Sequence, residues 1–425
     1  MKVPPIYPHL LAELDRFYDG RAEVRSAEPA QGPRTRSSRA GKELRILLTT
    51  FWKYPVAGGL TSYLRALKSG FEKHGHRVDI IHPEGLSAER MPKVKRRLKG
   101  EIERVLKERY GRANAHIVST LQSMLAYEAL LGERDLGKYD VLHAQDRFTA
   151  NALGRLNRAH GKPLFFTPHG FMTQKRVRHN LIPKDSDEAA FFWAIDRNAV
   201  EVSDKSIILS ETFRPLLMSL GAADSKLETI HTGIEFAVRS DKTDEKRIVI
   251  SCVSRLGPRK GHKILLEALN LIRSHLDRVR VCIVGDGEMR DELERLSSKL
   301  DLRSVYFWGH RDDVENILSK SDIYVLPTIS DTLPISVIEA MFAGKAIVTT
   351  RVGGIPELIR HQETGLLAEP GDVKQLADCL LRLMQDRDLA KRLGRNAQQY
   401  ARDHLTADKM ASKIEGVYRS VMRPG

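Results

Sequence analysis

From Leu44 onward, short apolar runs bounded by turn residues alternate with longer stretches whose apolar residues recur at helical spacing. The first runs are LRILLTT, RVDIIHP, YDVLHAQ, PLFFTP, KSIILSE and LETIHTG. After a polar interruption, IEFAVRSDKTDEK, come RIVISCVS, VRVCIVGD, VYFWGH, IYVLPT, AIVTT and GLLAEP. Such runs read as strands, and their alternation with helical patterns predicts a mostly parallel sheet with helices on both faces. Two series predict two successive doubly wound α/β domains, residues 43–233 and 247–405, joined by a linker at 234–246. Residues 406–425 read as a C-terminal helix that packs back on the first domain. Residues 1–42 read as an N-terminal tail, a short helix near Pro8–Phe17 followed by a disordered tether rich in Arg, Ser, Pro and Gly.

Composition narrows the class. The 425 residues are 41% apolar and 29% charged, ordinary for a folded protein. No apolar run approaches the roughly 20 residues of a membrane span, and MKVPPIYPHLLAELD lacks the apolar core of a secretory signal. Cys252, Cys282 and Cys379 lie far apart in apolar surroundings and read as buried free thiols. A cytoplasmic location is expected, with the inner face of the membrane open as a peripheral site. The formal charge is +14, of which +9 falls within residues 1–245. That excess leaves nucleic acid, anionic lipid and phosphorylated small molecules as partners to weigh.

Candidate chemistry gathers in loops that follow strands. Gly58-Gly59 precedes a helical pattern, where backbone N–H groups and a helix N-terminus favour an anion. No Gly-Lys-Ser/Thr follows and no third glycine stands at dinucleotide spacing, so a plain turn is equally open. Gly285 and Gly287 make a second strand-to-helix turn, with capping by Asp286 as its alternative. VSRLGPRKG is more telling, because Arg255 ends a strand and Lys260 precedes a helix, where the dipole disfavours a cation. Both suit a diphosphate held between them and the backbone amides. After IYVLPT, Asp331 sits in a loop and Glu339 in a helix starting near Pro334, placed to accept hydrogen bonds from sugar or ribose hydroxyls. Helix capping by Asp331 and a surface role for Glu339 are the alternative. Gly353-Gly354-Ile355-Pro356-Glu357 makes a further Gly-rich turn. His169 follows the strand PLFFTP, a position for binding or catalysis as well as for a structural histidine. Asp185-Ser186-Asp187 reads as helix capping and not as a metal site, and no zinc spacing or Gly-x-Ser-x-Gly elbow occurs.

Taken in order, GGLTSYLRALKSGFEKHGHRV, DVLHAQD, PHG, VSRLGPRKG, IVGDGEM, FWGHRDDVENILSKSDIYVLPT, DTLPISVIEAMFAGKAIVTT, RVGGIPELI and GLLAEPGD resemble glycosyltransferase family four. The resemblance runs from about Leu44 to the C-terminus. It implies the α/β GT-B architecture, two facing Rossmann-like domains with a cleft between them, and retaining transfer of a hexose-type sugar from a nucleotide-diphosphate sugar, UDP or GDP. It implies no cofactor and no essential metal. By position, Gly58 and Gly59 approach the donor, and Arg255 and Lys260 hold its diphosphate and neutralise the departing charge. Glu339 matches the ribose-binding carboxylate, Asp331 and His169 approach the transferred sugar, and His169, Arg255, Lys260 and Asp331 form the catalytic set. Gly285, Gly309, His310 and Arg311 border the donor, as do Thr332, Leu333, Pro334 and Ile335. Asp331 stands where relatives usually carry Glu, and Thr61 where many carry Glu after Gly-Gly. These departures bear on the identity of the sugar and the acceptor.

Residues 90–112 hold ten basic and three acidic residues, with Val94, Leu98, Ile102, Val105 and Leu106 on one helical face. This segment, with Lys93, Lys95, Arg96 and Arg97, reads either as a contact for an anionic membrane or lipid-linked or glycan acceptor, or as a core helix with a solvated face. Rival functions are a non-catalytic nucleotide-sugar or glycan binder, a nucleotide-sugar epimerase and a nucleic-acid binder. No helix-turn-helix, zinc finger or aromatic RNA platform favours the last, so no nucleic-acid partner is expected.

Overall fold

The computed structural model of the chain describes residues 5–19, 43–56, 58–170, 172–178, 180–237 and 247–422. They form two compact units, one of residues up to Ile230 with those from Ala411 on, the other of His231–Met410. The first unit has strands β1 (Arg45–Thr49), β2 (Arg77–Ile81), β3 (Val141–Ala144), β4 (Leu164–Phe166), β5 (Lys205–Ile208) and β6 (Leu227–Thr229). All pairs are parallel, in the order β2-β1-β3-β4-β5-β6. The second unit has β7 (Ile248–Val253), β8 (Val279–Val284), β9 (Val305–Gly309), β10 (Ile323–Leu326), β11 (Ala346–Thr350) and β12 (Leu366–Ala368). These too are parallel, in the order β12-β11-β10-β7-β8-β9. Each apolar run read from the sequence is a strand, trimmed at its polar ends.

Period-two alternation explains the layers of the second unit. Ile250, Cys252, Val281, Ile283, Ile323 and Val325 enter one core layer. Their neighbours Val253, Cys282, Val284, Tyr324 and Leu326 enter the layer on the other face. All three cysteines are buried free thiols, and burial pushes the Cys252 thiol up to about 12.

Three boundaries differ from the sequence reading. The helix near the N-terminus runs Pro8–Asp19, and Tyr7, Leu10 and Leu14 are buried in the first unit's core. It is a part of that unit and not a tail. The Tyr7 hydroxyl bonds the buried Glu128, Arg155 closes on the same carboxylate at 2.5 Å, and Arg109 pairs with Asp15. The tether at 21–41 lies outside the described residues. The expected linker at 234–246 starts within the second unit, since Ile234 is buried there and bridges Thr406. Its remainder, residues 238–246, lies outside the described residues. The C-terminal helix Ala407–Met422 begins in the second unit and, from Ala411, belongs to the first. There Tyr418 stacks on Phe71 and its hydroxyl lies 2.6 Å from His143 Nδ1, while Glu415 meets His76 at 3.2 Å.

The basic helix spans Arg90–Tyr110, and its apolar residues Leu98, Ile102 and Leu106 are buried in the core with helix Ala115–Leu131. Its apolar face is therefore taken by the protein, which settles that face as core. Lys93, Arg96 and Arg97 stay exposed and Lys95 half-buried. None of the four pairs with an acidic side chain among the described residues. No described helix is long and apolar enough to cross a membrane.

Candidate functional site

In an open parallel sheet, ligands bind where neighbouring strands send their connections in opposite directions. In the second unit that point lies between β7 and β10, adjacent in the sheet and parallel. The loop after β7 carries Arg255 and Lys260, and the loop after β10 carries Asp331, with Glu339 in helix Ile335–Phe342. Gly261, at the end of the first of these loops, and Gly353, in the loop after β11, each let backbone approach the β10 connection closely. Gly261 has φ +74°, and a Cβ there would stand 1.9 Å from the Pro327 carbonyl oxygen. Gly353 has φ +52°, and its Cβ would stand 2.1 Å from the Asp331 carbonyl oxygen. Only glycine permits this approach without moving backbone.

The result is an ion pair between residues 71 apart in sequence, Lys260 Nζ to Asp331 Oδ2 at 2.5 Å. Lys260 ends the 3-10 turn Pro258–Lys260, immediately before helix His262–Leu271. The countercharge that its position demands is thus supplied by Asp331. Asp331 also accepts from the Thr332 amide at 3.0 Å and does not cap helix Ile335–Phe342, whose N-cap is Pro334 with no side-chain cap. Arg255 is exposed, and its guanidinium has no ion pair among the described residues. The structure therefore brings Lys260 and Asp331 together and leaves Arg255 free on the same loop.

Glu339 is partly buried in that helix. Burial, then the Glu315 carboxylate, raises its pKa to about 7. Thr332 and Ile335 are half-buried, and Leu333 and Pro334 buried, around the start of the helix.

Gly285, just after β8, donates its amide hydrogen to the carbonyl of Gly309, the last residue of β9, at 2.8 Å. The Leu256 amide reaches the Asp286 carbonyl at 2.9 Å, tying the Arg255 loop to them. Asp286 Oδ1 accepts from the Gly287 amide at 2.8 Å. His310 and Arg311 are exposed, with Arg311 forked onto Asp313 by two bonds of 2.8 Å and His310 3.2 Å from Asp312.

The first unit repeats the logic between β1 and β3. A cavity of about 410 Å³ opens over the carboxyl ends of β1, β3 and β4, walled by Trp52, Gly58, Gly59, Gln145, Arg147 and His169 among others. Gly58 is the N-cap of helix Gly59–Lys73 and has no side-chain cap bond. Thr61 Oγ1 accepts from the Val56 amide at 3.2 Å and so ties the loop before the helix to its first turn. His169 is partly buried, its Nε2 2.9 Å from Gln145 Oε1 and its ring edge-on to Tyr63. Burial lowers its pKa to about 3, so the imidazole is neutral at physiological pH.

Gln145, Arg147, Asp196 and Trp52 were not singled out in the sequence. Arg147 and Asp196 make a buried ion pair at 2.7 Å, and Trp52 is 43% exposed at the cavity. The signal for Gln145 and Arg147 is present, since Gln145-Asp146-Arg147 directly follows the apolar run of β3. Asp196 lies inside helix Asp187–Glu201, where no local pattern marks it. Within Asp185-Ser186-Asp187, Ser186 is the cap, accepting from the Ala189 amide at 3.1 Å. No group of three metal-ligating side chains occurs among the described residues.

Residues 57–238 match the family described as Glycosyltransferase Family 4, and residues 234–400 match Glycosyl transferases group 1. An uncharacterized glycosyltransferase of Methanocaldococcus jannaschii is 26% identical over 403 residues, 89% of this chain and 99% of that protein. The UDP-Gal:alpha-D-GlcNAc-diphosphoundecaprenol alpha-1,3-galactosyltransferase of Escherichia coli is 27% identical over 326 residues, 72% of this chain and 81% of its own length. Among solved structures, Anabaena HepE in complex with UDP and glucose aligns with a TM-score of 0.64 at 19% identity, over 89% of this chain and 100% of that one. This last likeness is one of fold, the GT-B pairing of two Rossmann-like domains.

Proposed function

This chain belongs to the family-four glycosyltransferases of GT-B fold, which act on nucleotide sugars, and from that premise we propose that it transfers a hexose-type sugar, with retention, from a UDP- or GDP-sugar to a glycan, lipid-linked or cell-envelope polysaccharide acceptor. The observation that carries the reading is the Lys260–Asp331 pair at the β7/β10 switch point, with Glu339 in the following helix. In this reading Glu339 accepts the ribose hydroxyls, and the diphosphate takes over Lys260 while recruiting the unpaired Arg255. Asp331, released from Lys260 or sharing it, receives a hydroxyl of the transferred sugar.

The sugar C1–oxygen bond to the diphosphate breaks as the acceptor oxygen bonds C1 on the same face. The acceptor proton passes to a departing phosphate oxygen. Arg255 and Lys260 stabilise the charge developing there, the task that a metal performs in other transferases. The E. coli relative uses a diphosphoundecaprenol-linked acceptor, and the HepE complex holds UDP and glucose, which supports a lipid-linked or glycan acceptor and a uridine donor. The exposed cations Lys93, Arg96 and Arg97, with the half-buried Lys95, are assigned to attraction of an anionic membrane or acceptor, which gives a peripheral site on the inner membrane face.

The test is nucleotide release from a panel of UDP-, GDP-, ADP- and dTDP-sugars, with and without membrane extract, in buffer and in EDTA. One donor is expected to be consumed, faster with extract and at an unchanged rate in EDTA, giving a product of unchanged anomeric configuration. An inverted product overturns retention, and loss of activity in EDTA overturns metal independence.

A further inference from the structure

In the cavity of the first unit, His169, which the family resemblance brings to the transferred sugar, has a partner in Gln145 to which no role has been assigned. His169 at the end of β4 and Gln145 at the end of β3 meet through Nε2 and Oε1 at 2.9 Å. Gln145 is fully buried, and its Nε2 is an enclosed atom without a partner. His169 Nδ1 has no hydrogen-bond partner among the described residues, yet it is not one of the enclosed unpartnered atoms. It is therefore open, on a partly exposed side chain that lines the cavity.

A neutral imidazole has one donor nitrogen and one acceptor nitrogen, and the bond made by one decides the other. A side-chain carbonyl oxygen only accepts, so Nε2 carries the proton and Nδ1 keeps its lone pair. The surroundings favour a neutral ring. Burial works against the imidazolium, with the ring of Tyr63 packed edge-on from helix Gly59–Lys73 and His143 close by on β3. The charged groups that line the cavity are already engaged. Arg147 and Asp196 pair with each other, Lys53 pairs with Glu84 at 3.2 Å, and Asp146 accepts from the Phe148 and Thr149 amides.

We propose that Gln145 is a positioning residue that fixes the tautomer of neutral His169, so that Nδ1 faces the cavity as a hydrogen-bond acceptor for a hydroxyl of the sugar substrate. The ligand class is thus a polyol that donates an O–H at this point. An analogue deoxygenated or methylated there leaves Nδ1 unpaired and is selected against. The substrate half of this inference rests on the transferase reading above, whereas the tautomer does not.

The experiment uses the full chain labelled with 15N-histidine, with His169 signals identified by their loss in His169→Gln. Long-range proton–nitrogen correlation near pH 7.5 is expected to show a protonated Nε2 and an unprotonated Nδ1. Gln145→Leu removes the carbonyl and is expected to give a mixture of tautomers. Gln145→Glu keeps the acceptor and adds a charge, which stabilises the imidazolium and raises the His169 titration by about two pH units or more. With a sugar nucleotide that the wild type consumes, Gln145→Leu is expected to slow nucleotide release roughly tenfold. Gln145→Glu is expected to restore much of that rate at high pH and lose it as the ring protonates. A protonated Nδ1 in the wild type, or an unmoved titration in Gln145→Glu, overturns the assignment. If no nucleotide sugar is consumed, the transferase reading fails while the spectra still decide the tautomer.

Discussion

Glu339 is the group whose titration tests the proposed donor site most directly. Its carboxyl rises from 4.5 to about 7, through burial first and the Glu315 carboxylate second. At 1.36 kcal/mol per pH unit, ionising it in the folded protein costs about 3 kcal/mol more than in the unfolded chain. Partial exposure trims this, so an effect of about 1–3 kcal/mol is expected. Because the folded value is the higher one, the native state binds more protons between the two values. The stabilising contribution is complete below pH 4.5 and is lost as pH rises through about 7. Glu339→Gln keeps the shape and cannot ionise. In urea denaturation, the wild type is expected to lose about 1–3 kcal/mol relative to this variant between about pH 5 and 8. In the proposed donor complex, ribose hydroxyls donate to the Glu339 carboxylate and favour its charged form, so binding of a nucleoside diphosphate near pH 6 is expected to release protons. Calorimetry in two buffers of different ionisation enthalpy measures that release. Parallel stability profiles for wild type and variant, or nucleotide binding without proton release, would refute the reasoning.

Further predictions concern the first unit. Arg147→Met leaves Asp196 buried without its partner and is expected to cost about 3–5 kcal/mol in denaturant melts, with Arg147→Met/Asp196→Leu costing less than that single change. Leu14→Ala is expected to cost about 2–5 kcal/mol, because the N-terminal helix is part of the core, and a melt unchanged from wild type would contradict this. The wild type is expected to float with anionic phosphatidylglycerol vesicles at low salt and to detach at high salt. Replacing Lys93, Lys95, Arg96 and Arg97 by Ala is expected to abolish flotation, and a wild type that never floats refutes the membrane role.

The twelve strands were legible because parallel strands covered on both faces are short, nearly continuous apolar runs with turn residues at their ends. That fixes the carboxyl ends of β7 and β10, and so the neighbourhood of Arg255, Lys260, Asp331 and Glu339. What sequence cannot show is which side chains close on one another. Lys260 and Asp331 meet where Gly261 lets the loop after β7 close on the end of β10. Read locally, Lys260 asks for an external anion, and its internal partner lies too far along the chain to be seen. The N-terminal helix is undersold for a related reason. Tyr7, Leu10 and Leu14 form an apolar stripe, but the Arg- and Ser-rich tether that follows makes the whole segment read as a tail. Its anchors, Glu128 and Arg109, are supplied from more than 90 residues away. The basic helix was ambiguous because an amphipathic stripe fits a membrane or a core equally well, and only its packing on helix Ala115–Leu131 decides.

The central claim is that the second unit turns over a nucleotide-diphosphate sugar with Lys260 stabilising the leaving diphosphate. The direct measurement is the rate of nucleoside-diphosphate release by wild type and Lys260→Met at saturating donor and acceptor, with folding of the variant verified by its melt. The account predicts a fall of ~10²–10³ in kcat, as is usual when one donor to a developing charge is lost. A folded Lys260→Met that releases the nucleotide at the wild-type rate would contradict it.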